Sequence, residues 1–153
     1  MQPFPSLLIR SDSLVPQGAF AEAQAAFLQP DPGTVEELDG ILRRGRVGVV
    51  AHFYMDVELQ SVLSSCSWEH IHVADSLMMA DRAVKMAEAG VEAVVVLGVD
   101  FMSENVRAVL DAAGYRDLPV YRVAQREIGC SLAESAEARS YGAWLGQAAS
   151  TPG

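Results

Sequence analysis

Apolar positions along the chain alternate between helical and extended spacing, and the switches divide it into elements. Ala19–Leu28 is alanine-rich with apolar residues at Phe20, Ala23 and Phe27, the spacing of a helix. Pro30-Asp31-Pro32-Gly33 stops it. Thr34-Val35-Glu36-Glu37 reads as a capping box, Thr followed three positions on by Glu, and opens a second helix to about Arg44. Residues 47–51 are a short apolar run of β type, and Asp56 is placed to cap a helix over 57–64. Ile71-His72-Val73 is a short strand, and Asp75-Ser76 begins a helix over 77–89 that Gly90 closes just past its end. Residues 93–99 lack polar side chains, as a strand buried on both faces should. Residues 103–113 form a helix with Val106 and Leu110 on one face, stopped by Gly114. A fourth strand is predicted over 119–123, a turn at Gly129-Cys130-Ser131 and a helix over 132–145. Residues 1–15, with Pro3, Pro5 and three serines, are predicted to be irregular.

Strands and helices alternating at this spacing predict an α/β fold: a three-layer αβα domain with a four-stranded parallel sheet. Residues 1–33 would form an N-terminal extension with a helix, and residues 34–153 the αβα domain. There is no internal repeat and no low-complexity tract.

Composition narrows the function classes. The 153 residues are half hydrophobic, enough for one domain with a real core. The net charge of −9 disfavours non-specific nucleic-acid or anionic-membrane binding. It does not disfavour a small anionic substrate, because backbone N–H groups at helix starts bind anions locally. The two cysteines, Cys66 and Cys130, form no CxxC and are too few for a disulfide scaffold. No apolar run reaches the ~20 residues that span a bilayer. The first ten residues lack the pattern of a secretory signal. The last four, Ser150-Thr151-Pro152-Gly153, are linker-like. A soluble intracellular protein is expected.

In a parallel sheet, ligands bind outside the carboxyl ends of the strands, and the reactive side chains gather there. His52 and Tyr54 follow the first strand of the predicted sheet, facing the same way if the backbone stays extended to Tyr54. Asp75-Ser76 follows the second, 100–104 the third, and Cys130 the fourth. Ser76 at a helix start could hold a carboxylate or phosphate through its hydroxyl and nearby N–H groups. A thiol preceding a helix favours thiolate chemistry or metal ligation. Each residue also has a purely structural reading. His52 is as readily a hydrogen-bonded core histidine, Ser76 an N-cap, and Cys130 a structural cysteine. Cys66 reads as a small buried residue, and His70 and His72 lack ligand partners.

Four motifs, Ala51-His52-Phe53-Tyr54, Ala74-Asp75-Ser76-Leu77, Gly98-Val99-Asp100-Phe101-Met102-Ser103-Glu104 and Gly129-Cys130-Ser131-Leu132-Ala133, stand in order along the chain. Their order and spacing resemble the quinolinate synthase family, most closely its plant-type branch, in which the leader Pro3-Phe4-Pro5-Ser6-Leu7-Leu8 is also familiar. The resemblance covers nearly the whole chain. It implies an enzyme of NAD biosynthesis that condenses iminoaspartate with dihydroxyacetone phosphate. The family fold has three similar αβα domains, each supplying one cysteine to a 4Fe-4S cluster whose open iron acts as a Lewis acid.

By that resemblance Cys130 is the first domain's cluster ligand, His52 and Ser76 bind substrate, and Tyr54 assists catalysis. Phe101 and Met102 would pack near the site. Most relatives carry Asn or Tyr in place of Phe53, and Gly in place of Ala74; neither change removes a reactive group. Only the first domain is represented here, and one thiolate does not hold a cluster needing three. The chain alone is therefore expected to be inactive, with missing domains, a second polypeptide or a homo-oligomer completing it. The location implied is cytoplasmic, or plastid if the source is a plant or alga. The alternative is a non-catalytic Rossmann-like binding or interaction domain. A nucleotide-binding domain lacks its GxGxxG or GxxxxGK[ST].

Overall fold

The computed structural model describes residues 6–124 and 126–150. Pro3, Pro5 and the linker-like Thr151-Pro152-Gly153 lie outside the described residues. The chain opens with β1 (Ser6–Ile9) and β2 (Leu14–Gln17), an antiparallel pair in which Ser6 faces Gln17 and Ile9 faces Leu14. This corrects the irregular segment predicted there. Pro16 is tolerated because each strand of a two-stranded ribbon is an edge, where a missing N–H need not break a ladder.

Helices α1 (Ala19–Leu28) and α2 (Pro32–Arg44) follow. The start of α2 differs from the predicted capping box. Asp31 is the cap, its Oδ2 accepting from the Thr34 N–H at 2.7 Å and from the Thr34 hydroxyl at 2.9 Å. Pro32 supplies the first helical turn, since its fixed φ suits a helix start and its missing N–H costs nothing there. The Pro-Gly pair that looked like a breaker is thus part of the helix.

Four strand–helix units come next: β3 (Val47–His52) with α3 (Val57–Ser65), β4 (Ile71–Ala74) with α4 (Ser76–Glu88), and β5 (Ala93–Leu97) with α5 (Asp100–Ala112). The last is β6 (Val120–Arg122) with α6 (Ser131–Glu137), continued by α7 (Arg139–Ser150). Gly90 and Gly114 end α4 and α5 at φ +82 and +94. Both sit just past a helix, where a left-handed residue lets the following N–H reach back: Val91 to Met86 O at 3.1 Å and Tyr115 to Leu110 O at 2.9 Å. Helix α5 starts three residues before its predicted start. The single helix predicted over 132–145 is broken at Ala138, whose backbone is extended (ψ 138).

The sheet is parallel throughout, in the order β4-β3-β5-β6. Alternation along β3 sorts its side chains. Val50 packs with Val94, Val96, Met79, Met86 and Leu110 against α4 and α5. Val49 and Ala51 pack with Leu42 and Leu63 against α2 and α3. The result is the three-layer αβα domain expected from the pattern. A side chain at Gly48 would come within 2.4 Å of the Met86 sulfur, so α4 lies close against β3 there. No helix among the described residues is long and apolar enough to cross a membrane.

His72, on edge strand β4, has its pKa lowered, first by burial and then by Arg82, His70 and Lys85. An unfolded chain would bind a proton there more readily, so this contribution to stability is present above its ordinary value of 6.5 and is lost as pH falls through the folded value. Denaturant midpoints measured from pH 7.5 down to 5 should decline, and His72→Gln should flatten that decline. An unchanged slope in the variant would remove His72 as the cause.

Candidate functional site

The strand order reverses between β3 and β5, because β4 lies on one side of β3 and the later strands on the other. Such a switch point opens a crevice at the carboxyl edge. His52 is the last residue of β3 and pairs in register with Ala74, the last of β4. By parity with Val50, its ring falls on the α4 face, the side from which Ser76 begins its helix. His52 is buried, with only 7% of its surface exposed.

The extended geometry predicted to continue through Tyr54 does not occur. The chain turns, with the Met55 N–H donating to His52 O at 3.0 Å. The turn nonetheless brings the rings together: the His52 and Tyr54 centroids are 4.8 Å apart, edge to face, and Phe53 stacks on His52 at 4.7 Å. Gln60, from α3, clamps this turn by donating to Phe53 O at 3.0 Å and Met55 O at 2.7 Å. Sequence reasoning missed Gln60; its only signal is a polar residue on a helix that follows the turn.

The hydrogen bonding of His52 assigns its tautomer. Nδ1 accepts from the Tyr54 N–H at 3.3 Å, so in the neutral ring the proton sits on Nε2. The buried imidazole is therefore a hydrogen-bond donor at the rim. Tyr54 is 82% exposed, leaving its phenol open to solvent.

Ser76 is not the cap of α4. Asp75 takes that role, its Oδ1 accepting from Leu77 N and Met78 N, each at 2.9 Å. This alters the anion-binding expectation, since two of the first-turn N–H groups are already occupied. What remains is the Ser76 hydroxyl, half-buried and without a hydrogen bond to the other described residues. Phe101 is partly exposed, whereas Met102 is buried in the core beneath α5.

Cys130 occupies the position before α6 and makes no side-chain cap bond. It is a half-buried free thiol. The loop leading to it is held at the carboxyl edge, with Ile128 O accepting from Asp100 N at 3.0 Å. Val123, Ala124 and Ile128 line a cavity of about 190 Å³ together with Met55 and Leu59, which flank the His52 turn. The segments that follow β3 and β6 thus meet at the carboxyl edge, and Ser76 comes just after β4 on that edge. Cys66 differs: its thiol donates to Val62 O at 3.3 Å, and burial, followed by Asp39, pushes its pKa up. Among the described residues, no three His, Cys, Asp or Glu side chains are grouped to hold a metal ion.

Comparison with known proteins places this rim in context. A family model described as quinolinate synthetase A protein matches residues 36–152. The chain is 57% identical over 140 residues to the chloroplastic quinolinate synthase of Nicotiana tabacum, covering 90% of this chain and 19% of that protein. It is 54% identical over 154 residues to the chloroplastic enzyme of Oryza sativa subsp. japonica, covering 99% and 22%. Against that of Arabidopsis thaliana it is 51% identical over 153 residues, covering 99% and 21%. The chain therefore spans about a fifth of the length of these relatives. No solved structure matches it.

Proposed function

Because the chain belongs to the quinolinate synthase family, whose members serve NAD biosynthesis, we propose that it forms the first of three αβα domains of such an enzyme and supplies part of one shared active site. The substrates would be iminoaspartate and dihydroxyacetone phosphate, and the product quinolinate. The relatives are named chloroplastic, and a plastid location is proposed on that ground. The observation that carries the reading is the state of His52: its Nδ1 is engaged by its own turn, which leaves Nε2–H as a fixed donor. Ser76, at the start of α4 and without a hydrogen bond to the other described residues, offers a second donor to an anion at this edge. A charge-assisted hydrogen bond to a carboxylate is stronger than a neutral one, so burial of the imidazole favours an anionic ligand. Tyr54, edge-on to the same ring, has an exposed hydroxyl that could pass a proton to or from bound substrate.

The 4Fe-4S cluster of the family would provide Lewis-acid activation of the substrate. Cys130 suits one ligand position: it is a soft donor, half-exposed and without a side-chain cap bond. Cys66 does not suit one, because burial raises its pKa and its thiol donates to Val62 O of its own helix. One suitable thiol does not complete a three-thiolate site, so this chain by itself does not fit the cluster.

A chimera tests the proposal. This chain would replace the matching segment of the Arabidopsis enzyme, and quinolinate would be assayed after anaerobic reconstitution with iron and sulfide. The chimera should form quinolinate, the 153-residue chain alone should form none, and His52→Ala in the chimera should remove most of the activity. Robust turnover by the isolated chain, or a folded chimera indifferent to His52→Ala, would overturn the proposal.

A further inference from the structure

We infer that Asp100 and Arg122 are positioning residues for Cys130, which clamp its loop across the carboxyl end of β5. The inference rests on the proposed function only for what the thiol is used for. Its geometric basis is independent of that use. The loop, residues 123–130, joins β6 to α6. Because β6 is an edge strand, a loop leaving it could run outward, away from the crevice at β3 and β5. It is instead tied back at two points, both to Asp100.

Arg122, the last residue of β6, donates from Nη1 to Asp100 Oδ1. Ile128, two residues before Cys130, donates its N–H to Asp100 Oδ2 at 3.1 Å and accepts from the Asp100 N–H at 3.0 Å. One carboxylate therefore holds both ends of a loop whose described residues form no helix or strand. The pair is half-buried, with 30% of the Arg122 and 24% of the Asp100 side chain exposed. Removing one partner of such a pair leaves the other charge poorly compensated, which costs more than losing a surface ion pair. On the far side of the thiol, Glu134 N donates to Cys130 O at 2.9 Å and fixes the first turn of α6. Cys130 is thus held between two anchored points.

The test uses the 153-residue chain and compares the parent with Asp100→Ala, Asp100→Asn and Arg122→Gln. Amide hydrogen exchange at Ile128 and the rate of Cys130 modification by a disulfide reagent are measured, with Cys66 as the internal control. In Asp100→Ala, Ile128 exchange should rise roughly tenfold or more, as local opening is freed from global unfolding. Cys130 should react several-fold faster and Cys66 at its parent rate. Asp100→Asn, which keeps one oxygen acceptor, and Arg122→Gln, which keeps the Ile128 bonds, should both fall between. A merely structural role would accelerate both thiols together in proportion to the fall in melting temperature. That outcome, or parent-like exchange at Ile128, would overturn the inference.

A second arm separates the two levels. In the chimera, Asp100→Ala should lower iron per chain, and Cys130→Ser should lower it further. If Cys130→Ser keeps its iron, the ligand assignment fails and the clamp is judged on exchange and thiol rates alone. If Cys130→Ser loses iron while Asp100→Ala changes neither iron nor exchange, the clamp fails and the ligand assignment survives.

Discussion

Cys130→Ser should strip the cluster iron from the assembled chimera and abolish quinolinate formation while leaving the melting temperature of this domain unchanged. The expected separation of the two effects follows from what the thiol does in the fold. It makes no cap bond to α6, packs in neither hydrophobic core, and stands at a loop–helix junction. Serine has nearly the same shape, and its oxygen is a better cap than sulfur. The stability change should stay within about 0.5 kcal/mol, the range for substitutions away from core or network features. As a ligand the exchange is not conservative, because iron–sulfur clusters are held by soft thiolates and a serine hydroxyl remains protonated near neutral pH. Iron and sulfide per chain, the visible absorption of the cluster and a thermal melt of the isolated domain decide it. Full iron in the Ser variant would remove Cys130 from the ligand set; a collapsed melt would show that the cysteine is structural.

The largest stability effect is expected at Leu110. Its side chain is fully buried on α5, in the cluster that joins α4 and α5 to the β3–β5 face of the sheet. Leu110→Ala removes three carbons from the cluster it shares with Val94, Val96, Met102 and Val106, where the sheet and the neighbouring helix limit collapse into the space. Such changes cost about 2–5 kcal/mol. Against a typical total of about 5–15 kcal/mol, that is a large fraction of the stability. The melting midpoint should drop by roughly 5–20 °C for a chain of this length. Leu132, 79% exposed on α6, is the control, and Leu132→Ala should shift the midpoint little. A loss below about 1 kcal/mol at Leu110 would mean that α5 does not seal this face of the sheet. The expected loss would also weaken the site, because α5 begins at Asp100, the residue to which the Cys130 loop is tied.

The elements were legible where their causes are local. The apolar run of β3, the Asp56 cap of α3 and the glycine after α4 each act over a few neighbouring residues, and the chain shows them directly. The rim assigned to His52, Ser76 and Cys130 rests on one rule, that every strand of a parallel sheet ends at the same edge, and their roles there are left to the chimera and Cys130→Ser experiments. The misreadings have separate causes. Pro32-Gly33 resembled a breaker because the Asp31 side chain that turns it into a helix start had been taken as part of the break. The β1–β2 pair was invisible because neither short strand has an alternating pattern strong enough to reveal a partner five to eleven positions away.

By itself, then, the amino-acid order determined the succession of strands and helices from α1 to β6 and the three-layer class, since periodicity and capping are short-range forces. Tertiary structure alone decided that the chain turns at Phe53 so that the His52 ring meets Tyr54, that Asp75 rather than Ser76 caps α4, and that Asp100 gathers Arg122 and Ile128 around Cys130. Those contacts depend on which backbone groups and charges find one another once the sheet is assembled. Asp100 meets partners 22 and 28 positions away, and at that separation no periodic pattern marks a pair.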